Sequence, residues 1–128
     1  MAPTGSVGWG ELLVDRTNWG PGFTVAGRHF CTGAFAHAPS AVALTVPEGV
    51  TRLTGSVGLQ DWGQRCGDGA AFAVVQGGAT LWDSGTRVNY DDPVAFDVPV
   101  TAGTVLLRAD INADYACDTA VWADVTGW

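Results

Sequence analysis

The sequence predicts an all-β domain, an antiparallel β-sandwich, and three observations support this. No segment has the long 3.6-residue periodicity of an amphipathic helix. Short apolar segments alternate instead with Gly, Pro, Asn and Asp at intervals that suit the strands and turns of a sandwich. The chain of 128 residues is long enough to bury one hydrophobic core. We therefore expect an N-terminal arm at residues 1–7 and one domain at residues 8–128.

The alternation and the turn residues predict nine strands. They lie at residues 11–14, 23–25, 41–46, 51–59, 70–76, 80–84, 94–100, 104–111 and 119–126. Period two, which puts alternate side chains on one face of a strand, is clearest in three of them. Their shared faces hold Leu53, Gly55, Val57 and Leu59; Val94, Phe96, Val98 and Val100; and Val105, Leu107, Ala109 and Ile111. We expect these faces to form the core.

Two of the connections are predicted to be tight turns. Gly77 and Gly78 can both adopt the positive φ angles of a two-residue hairpin turn. Pro47 and Gly49 mark a second turn, between the strands at 41–46 and 51–59. The longer connections lie at residues 15–22, 60–69, 84–93 and 112–118. We expect any local function in these longer loops.

The charge of the chain argues against two classes of partner. Thirteen acidic residues against six basic ones give a formal net charge of -7. Nucleic acid and anionic membranes bind proteins through clustered cations, so we expect neither as a partner. The longest apolar run, residues 70–75, is too short to span a bilayer. We expect an extracellular or virion-surface location, although no signal peptide is visible in this chain.

The residue sets that hydrolases use are missing from the sequence. It has only two glutamates, Glu11 and Glu48, where a glycosidase needs a placed acid and a placed base. The sequence also lacks a Gly-x-Ser-x-Gly elbow, a His-Glu-x-x-His motif and a phosphate loop. We therefore expect the protein not to be an enzyme.

A group of oxygen-bearing side chains follows the strand at 104–111. It consists of Asp110, Asn112, Asp114 and Asp118. Hard oxygen ligands that converge in this way can bind Ca²⁺. The letters "DINAD" match the start of an EF-hand loop, but Tyr115 stands where that loop needs Gly. A structural calcium site and a solvated acidic loop both stay open, and the shortness of the match favours the loop.

The loops at 60–69 and 112–118 carry the groups that a sugar site needs, an aromatic face and fixed polar groups. The first loop holds Asp61, Trp62, Gln64 and Arg65, and the second holds Tyr115. If the strands alternate as predicted, both loops leave the sandwich at the same end, where Trp19 could join them. Trp62 could equally fold back onto the core. Trp82 and Trp122 lie in strand patterns, so we expect them in the core.

Three cysteines leave one unpaired. Cys66 and Cys117 lie in the two loops that are expected to be neighbours, so a disulfide between them is predicted. It would rigidify the binding end. Cys31 follows Phe30 in an apolar segment and is expected to be a buried small hydrophobic residue.

Four segments also follow one another in an order typical of a known family. They are "GAFAHAPS" before a strand, "GSVGLQ" at a strand end, "FAVVQGGATLWDS" as a strand pair, and "VWADV" as the last strand. This ordered set resembles the NPCBM domain, also classed as the family 51 carbohydrate-binding modules, over about residues 8–126.

The resemblance implies a jelly-roll-like β-sandwich that binds glycans without cleaving them. The glycans are typically galactose-containing, and the module is often an appendage of a glycosidase. This sequence departs from the family pattern at Ala36, where Thr is usual, and at Gln60, where an acidic residue is usual. Asp118 or Thr119 stands where His is common. The resemblance therefore predicts the fold and leaves the sugar specificity open.

His37, within the family-like segment "GAFAHAPS", could be a catalytic base, a metal ligand, a sugar contact or a structural residue. No partner set supports catalysis, and His29 lies too far along the chain to share a metal at ligand spacing. We favour a structural role, with a hydrogen bond to an acidic residue such as Asp124, over direct sugar contact.

Two classes of function follow from these observations. The first is a non-catalytic carbohydrate-binding module whose partners are glycans. The second is a structural or decoration protein on the capsid or tail of a bacteriophage virion, with virion proteins or further copies of the chain as partners. The ordered motif set favours the first, although a fold by itself does not fix a function.

Overall fold

The computed structural model describes residues 3–7, 10–61, 67–113 and 116–128. In these residues the protein is all-β. The strands are, in chain order, β1 (Thr4–Ser6), β2 (Leu13–Val14), β3 (Arg16–Thr17), β4 (Gly20–Pro21), β5 (Phe23–Val25), β6 (Arg28–Phe30), β7 (Gly33–Phe35), β8 (Ser40–Val46), β9 (Arg52–Leu59), β10 (Ala70–Gln76), β11 (Ala79–Arg87), β12 (Val94–Pro99), β13 (Gly103–Ile111) and β14 (Ala120–Gly127). The described part of the chain has no helix long and apolar enough to cross a membrane.

Two five-stranded antiparallel sheets form the sandwich. The first has the order β1-β8-β13-β10-β11, and the second has the order β12-β9-β14-β7-β2. Two small hairpins, β3-β4 and β5-β6, accompany them. The all-β prediction is therefore confirmed, and each predicted strand is present with ends that differ by at most three residues. Thr4–Ser6 pair with Ala41–Ala43, so the predicted N-terminal arm is in part an edge strand of the first sheet.

The core lies between the sheets and contains the alternating faces that the sequence predicts. Among the buried side chains are Leu53, Val57, Leu59, Phe96, Val98, Val105, Leu107 and Ala109. Trp122 lies at the centre, fully buried, with its ring centroid 5.4 Å from that of Phe72 and 5.8 Å from that of Phe96. Burying a side chain of this size contributes about 3 kcal/mol to stability. Trp82 is half-buried and packs on Phe96 at 5.4 Å.

A second apolar cluster lies on the outer face of the second sheet, where the β5-β6 hairpin covers β14. It contains Phe23, Val25, Phe30, Phe35, Val121 and Ala123. Val121 and Ala123 face this hairpin, while Trp122 between them faces the sandwich core. The first half of β14 is therefore buried on both faces. Gly58 permits the close approach, because a Cβ there would overlap the Val25 side chain.

The strands bring their connections together at two opposite ends of the sandwich. Ala70 pairs with Ile111, and Ala120 pairs with Leu59. We call the end formed by segments 36–39, 60–69, 88–93 and 112–119 the loop end. We call the end formed by segments 47–51, 77–78 and 100–102 the turn end. As expected, the loops at 60–69 and 112–118 leave the sandwich at the same end.

Candidate functional site

The segment that carries His37 is fixed to the start of β14 at the loop end. Ala36 N donates to the Ala120 carbonyl at 3.0 Å, and Ala38 N donates to the Asp118 carbonyl at 2.9 Å. Ala36 and Ala38 are fully buried. Because their backbone is bonded on both sides of His37, the imidazole occupies a defined place.

His37 is buried in this arrangement, with 8% of its surface exposed. Its Nδ1 lies 2.7 Å from the carbonyl oxygen of Ala38. A carbonyl oxygen only accepts, so Nδ1 carries the hydrogen and donates, which leaves Nε2 with the lone pair in the neutral ring. The expected hydrogen bond from His37 to Asp124 is wrong, because Asp124 Oδ1 instead accepts from Thr32 Oγ1 at 3.2 Å.

Asp61, predicted to contact sugar, holds the turn of the β5-β6 hairpin. Its Oδ1 accepts from Ala26 N at 2.8 Å, and its Oδ2 accepts from Gly27 N at 2.9 Å. Ala26 and Gly27 have φ angles of 48° and 80°, as a type I′ turn requires. The neighbouring Gln60 Oε1 accepts from Thr24 N at 2.9 Å. Residues 60 and 61 thus position the hairpin beside the loop end.

The segment 88–93 brings to the loop end an aromatic residue that the sequence analysis missed. Tyr90 is 36% exposed and has a φ angle of 68°, an unusual conformation for a bulky residue. The fully buried Asn89 donates from Nδ2 to the Cys117 carbonyl at 3.4 Å, and Asp91 Oδ2 accepts from Val88 N at 3.0 Å. Strained backbone of this kind is often found at binding sites. The sequence signal that could have predicted this site is an aromatic residue between the turn-forming residues Asn89 and Asp91.

The segment 112–119 is joined to the loop before β10. Asp68 Oδ2 accepts from Ala113 N at 2.7 Å, and the Asp68 carbonyl accepts from Asn112 Nδ2 at 3.5 Å. Asp118 is fully buried. Thr119 Oγ1 donates to the Gln60 carbonyl at 3.2 Å. Residues 60 and 68 of one loop are therefore hydrogen-bonded to residues 112, 113 and 119 of the other.

The cysteines differ in their environment. Cys117 is disulfide-bonded, and its predicted partner Cys66 lies outside the described residues. Cys31 is a free cysteine and is exposed, so the expectation that it is buried is wrong. The cause is its position between β6 and β7, where the chain turns outward after the buried Phe30.

The residues predicted to bind calcium have different surroundings. Asp110 is exposed and forms an ion pair with Arg108 at 2.8 Å, whereas Asp118 is fully buried. Asn112 is exposed, and Asp114 lies outside the described residues. Within residues 3–7, 10–61, 67–113 and 116–128, no group of three His, Cys, Asp or Glu side chains could hold a metal ion. The calcium site, which depends on Asp114, stays a prediction.

Most of the predicted sugar contacts fall in two short gaps of the described chain. Trp62, Gln64, Arg65 and Tyr115 lie outside the described residues. Trp19 is described, and it lies between β3 and β4 with 54% of its surface exposed. Its ring meets Phe35 edge-on at 6.1 Å, directly before the segment that holds His37. Trp19 and Tyr90 are thus the exposed aromatic residues described in or next to the loop end.

Comparison with known proteins gives a consistent result. The NPCBM/NEW2 domain model matches residues 2–126. Over 122 residues the chain is 34% identical to alpha-1,3-galactosidase B of Akkermansia muciniphila. The matched residues make up 91% of this chain. The chain spans about 15% of the length of that galactosidase.

Two solved structures show the same fold. The first is the CBM51 of Clostridium perfringens GH95 in complex with methyl-galactose, with a TM-score of 0.85 and 19% identity over 98% of this chain and 92% of that one. The second contains CBM51-2 of Clostridium perfringens ZmpB in complex with GlcNAc, with a TM-score of 0.83 and 19% identity over 97% of this chain and 29% of that one.

Proposed function

The chain belongs to the NPCBM/NEW2 domain family, and on that premise we propose that it binds carbohydrate, without cleaving it, through the loop end. The observation that supports this most directly is that hydrogen bonds join four segments there, one of which carries the exposed Tyr90 in a strained conformation. The bonds pair Ala38 with Asp118, Gln60 with Thr119, and Asn89 with Cys117. A sugar site needs an aromatic face for the C–H surface of the ring and fixed polar groups for the hydroxyls. Tyr90 is an aromatic group at the loop end, and the predicted Gln64 and Arg65 would supply the polar groups.

The aromatic face would come from Tyr90 and the predicted Trp62 and Tyr115, with Trp19 at the border. The polar contacts would come from the predicted Gln64 and Arg65. His37 is held by its hydrogen bond to Ala38 and lies mostly beneath this surface. Asp61 acts indirectly, because both of its carboxylate oxygens hold the hairpin turn.

We place galactose-containing glycans first among the ligands. The matched relative is named as a galactosidase, and one matched structure contains methyl-galactose. Another contains GlcNAc, which makes that sugar the natural competitor. The departures from the family pattern at Ala36 and Gln60 are the reason to test both sugars.

The same comparisons support a role outside the cell, as a module joined to a catalytic domain. The matched structures come from a GH95 protein and from a ZmpB protein that also has an M60 catalytic domain. In such a setting the module would keep an enzyme close to its glycan. None of these comparisons supports the alternative of a bacteriophage decoration protein.

Calorimetric titration with methyl galactoside and with GlcNAc tests the proposal. We expect millimolar or tighter binding of the galactoside and a loss of at least about tenfold in Trp62→Ala. Trp62→Phe is the matched control, since it retains an aromatic face and should retain most of the affinity. Absence of binding to both sugars by the folded protein, or full binding by Trp62→Ala, would refute the loop-end site.

A further inference from the structure

A second exposed aromatic ring lies far from the loop end, on the outer face of the second sheet. Trp128 is 62% exposed, the largest exposure among the large hydrophobic side chains described. Its position is nevertheless fixed. The indole Nε1 donates to Thr54 Oγ1 at 2.9 Å, and the backbone N donates to the Arg52 carbonyl at 2.8 Å. The ring is therefore held rigidly and does not lose much conformational entropy when a ligand packs on it.

An ion pair adjoins this ring and retains free hydrogen-bonding groups. Arg52 Nε lies 2.8 Å from Asp97 Oδ1, with side-chain exposures of 54% and 57%. The Arg52 guanidinium carbon is 5.9 Å from the centroid of the Trp128 ring. Among the described residues, the Nη groups of Arg52 and Oδ2 of Asp97 have no other partner. Two donor groups and one acceptor thus face solvent beside an exposed indole.

The three side chains lie next to one another on the outer face of the second sheet. Arg52 begins β9 and Asp97 lies on the adjacent β12. Trp128 follows β14, but its indole bonds to Thr54 on β9, so the ring lies beside Arg52 and the ion pair. We call Trp128, Arg52 and Asp97 the sheet-face row.

We propose that the sheet-face row is a second carbohydrate-binding surface, one that takes a glycan chain of at least two sugar units. One sugar ring packs on the indole of Trp128. The next unit reaches Arg52 Nη and Asp97 Oδ2 with its hydroxyl groups, which can donate to the carboxylate and accept from the guanidinium. A chain of two units contacts the ring and the ion pair together, so we expect the surface to bind chains more tightly than monosaccharides.

The chemistry of the row disfavours other ligands. The ion pair is neutral as a whole, and the net charge of -7 repels anionic polymers. Asp97 lies on the edge strand β12, but a peptide added there would pair with backbone groups and would not need the Trp128 ring. An uncharged glycan fits an exposed ring flanked by free donors and an acceptor. This inference extends the proposed function to a different surface and does not use any residue of the loop end.

Proton–nitrogen NMR of the tryptophan indole groups tests it, with methyl galactoside and a β-linked galactotetraose as probes. We expect the Trp128 indole signal to shift with the tetrasaccharide and to stay still with the monosaccharide. Trp128→Ala should weaken tetrasaccharide binding by about threefold to tenfold and leave methyl galactoside binding unchanged. Thr86→Ala, an exposed change on β11 of the first sheet, is the control.

The outcomes separate the two surfaces. A Trp128 signal that does not move with the tetrasaccharide while loop-end signals do would overturn the sheet-face row and leave the proposed function intact. A Trp128 shift without any loop-end shift would support the row and count against the loop end. If Arg52→Ala and Asp97→Ala both bind the tetrasaccharide as well as the unchanged protein does, the row is also overturned.

Discussion

At the turn end, Gly77 and Gly78 join β10 to β11 in two residues, whereas at the loop end the chain takes residues 60–69 to pass from β9 to β10. The two ends also differ in what they bury. His37, Gln60, Asn89, Asp118 and Thr119 are buried at the loop end. Among the described residues, the segments of the turn end contain no buried polar side chain. Burying polar groups is costly unless they are hydrogen-bonded.

The difference shows which forces shape each end. The turn end follows from local backbone preference, since Gly77 and Gly78 adopt φ angles of 60° and 77° with no neighbour near the position of a Cβ. The loop end depends on contacts between distant parts of the chain, such as Ala38 with Asp118. Changes at the loop end should therefore disturb more partners than changes at the turn end.

The largest effect is expected from reduction of the disulfide at Cys117. If Cys66 is its partner, as predicted, the bridge closes a loop whose restriction contributes about 4 kcal/mol in the chain-entropy model. Urea unfolding with and without reductant should show a decrease up to that size. Cys31→Ser is the control, because an exposed free thiol should not change the effect. Equal stability in both conditions would contradict the prediction.

A matched pair of glycine substitutions compares the two ends directly. Gly69 has a φ angle of 91°, and a Cβ there would overlap the backbone of Arg87 at the loop end. Gly78 has a φ angle of 77° but open space around it. We expect Gly69→Ala to cost about 3 kcal/mol and Gly78→Ala about 1 kcal/mol, measured by chemical unfolding. Equal losses of unfolding free energy in the two variants would mean that the loop end is no more sensitive to substitution than the turn end.

The carboxylate of Asp61 gives the next largest effect. Asp61→Ala removes both acceptors of the hairpin turn and should cost about 2 kcal/mol. Asp61→Asn retains one acceptor oxygen and should lose about half as much. Asp83→Ala is the comparison, because Asp83 accepts one exposed local bond from Gly85. The melting temperatures of the three variants should show the largest loss of stability for Asp61→Ala and the smallest for Asp83→Ala. An unchanged melting temperature for Asp61→Ala would mean that the Asp61 carboxylate does not stabilise the turn of the β5-β6 hairpin.

The smallest effect is expected at His37. Removing the imidazole leaves the Ala38 carbonyl without its donor, so His37→Ala should lower stability by about 1 to 2 kcal/mol. Binding of methyl galactoside at a temperature where the variant is folded should change by less than about threefold. Strongly reduced binding with unchanged melting would make His37 a sugar contact instead.

The sequence predicted the turn end and the core better than the loop end. Period two in β9, β12 and β13 identified the buried faces, because alternate side chains in a strand share one environment. Paired glycines identified the turn at Gly77 and Gly78. Both signals act within a few residues. They were sufficient for the sandwich and for the family to which it belongs.

Local signals were not sufficient for the β5-β6 hairpin. Its turn at Ala26 and Gly27 is held by Asp61, more than thirty residues away. Asp61 was predicted as a sugar contact because a carboxylate in a loop looks available in sequence. Strand β6 was missed because Arg28 and His29 are exposed and only Phe30 is buried. Tyr90 was missed because its neighbour Asn89 is held by a bond to the Cys117 carbonyl, 28 residues away in the chain.

The place of β14 in the second sheet also has a consequence for synthesis of the protein. This strand, the last of the domain, lies between β9 and β7, so the β12-β9 pair and the β7-β2 pair stay separate until residues 120–127 exist. Strands paired over such sequence distances form slowly. During translation the two halves of the second sheet cannot be joined until these residues leave the ribosome. The domain then folds as a unit once its final strand is inserted at the centre.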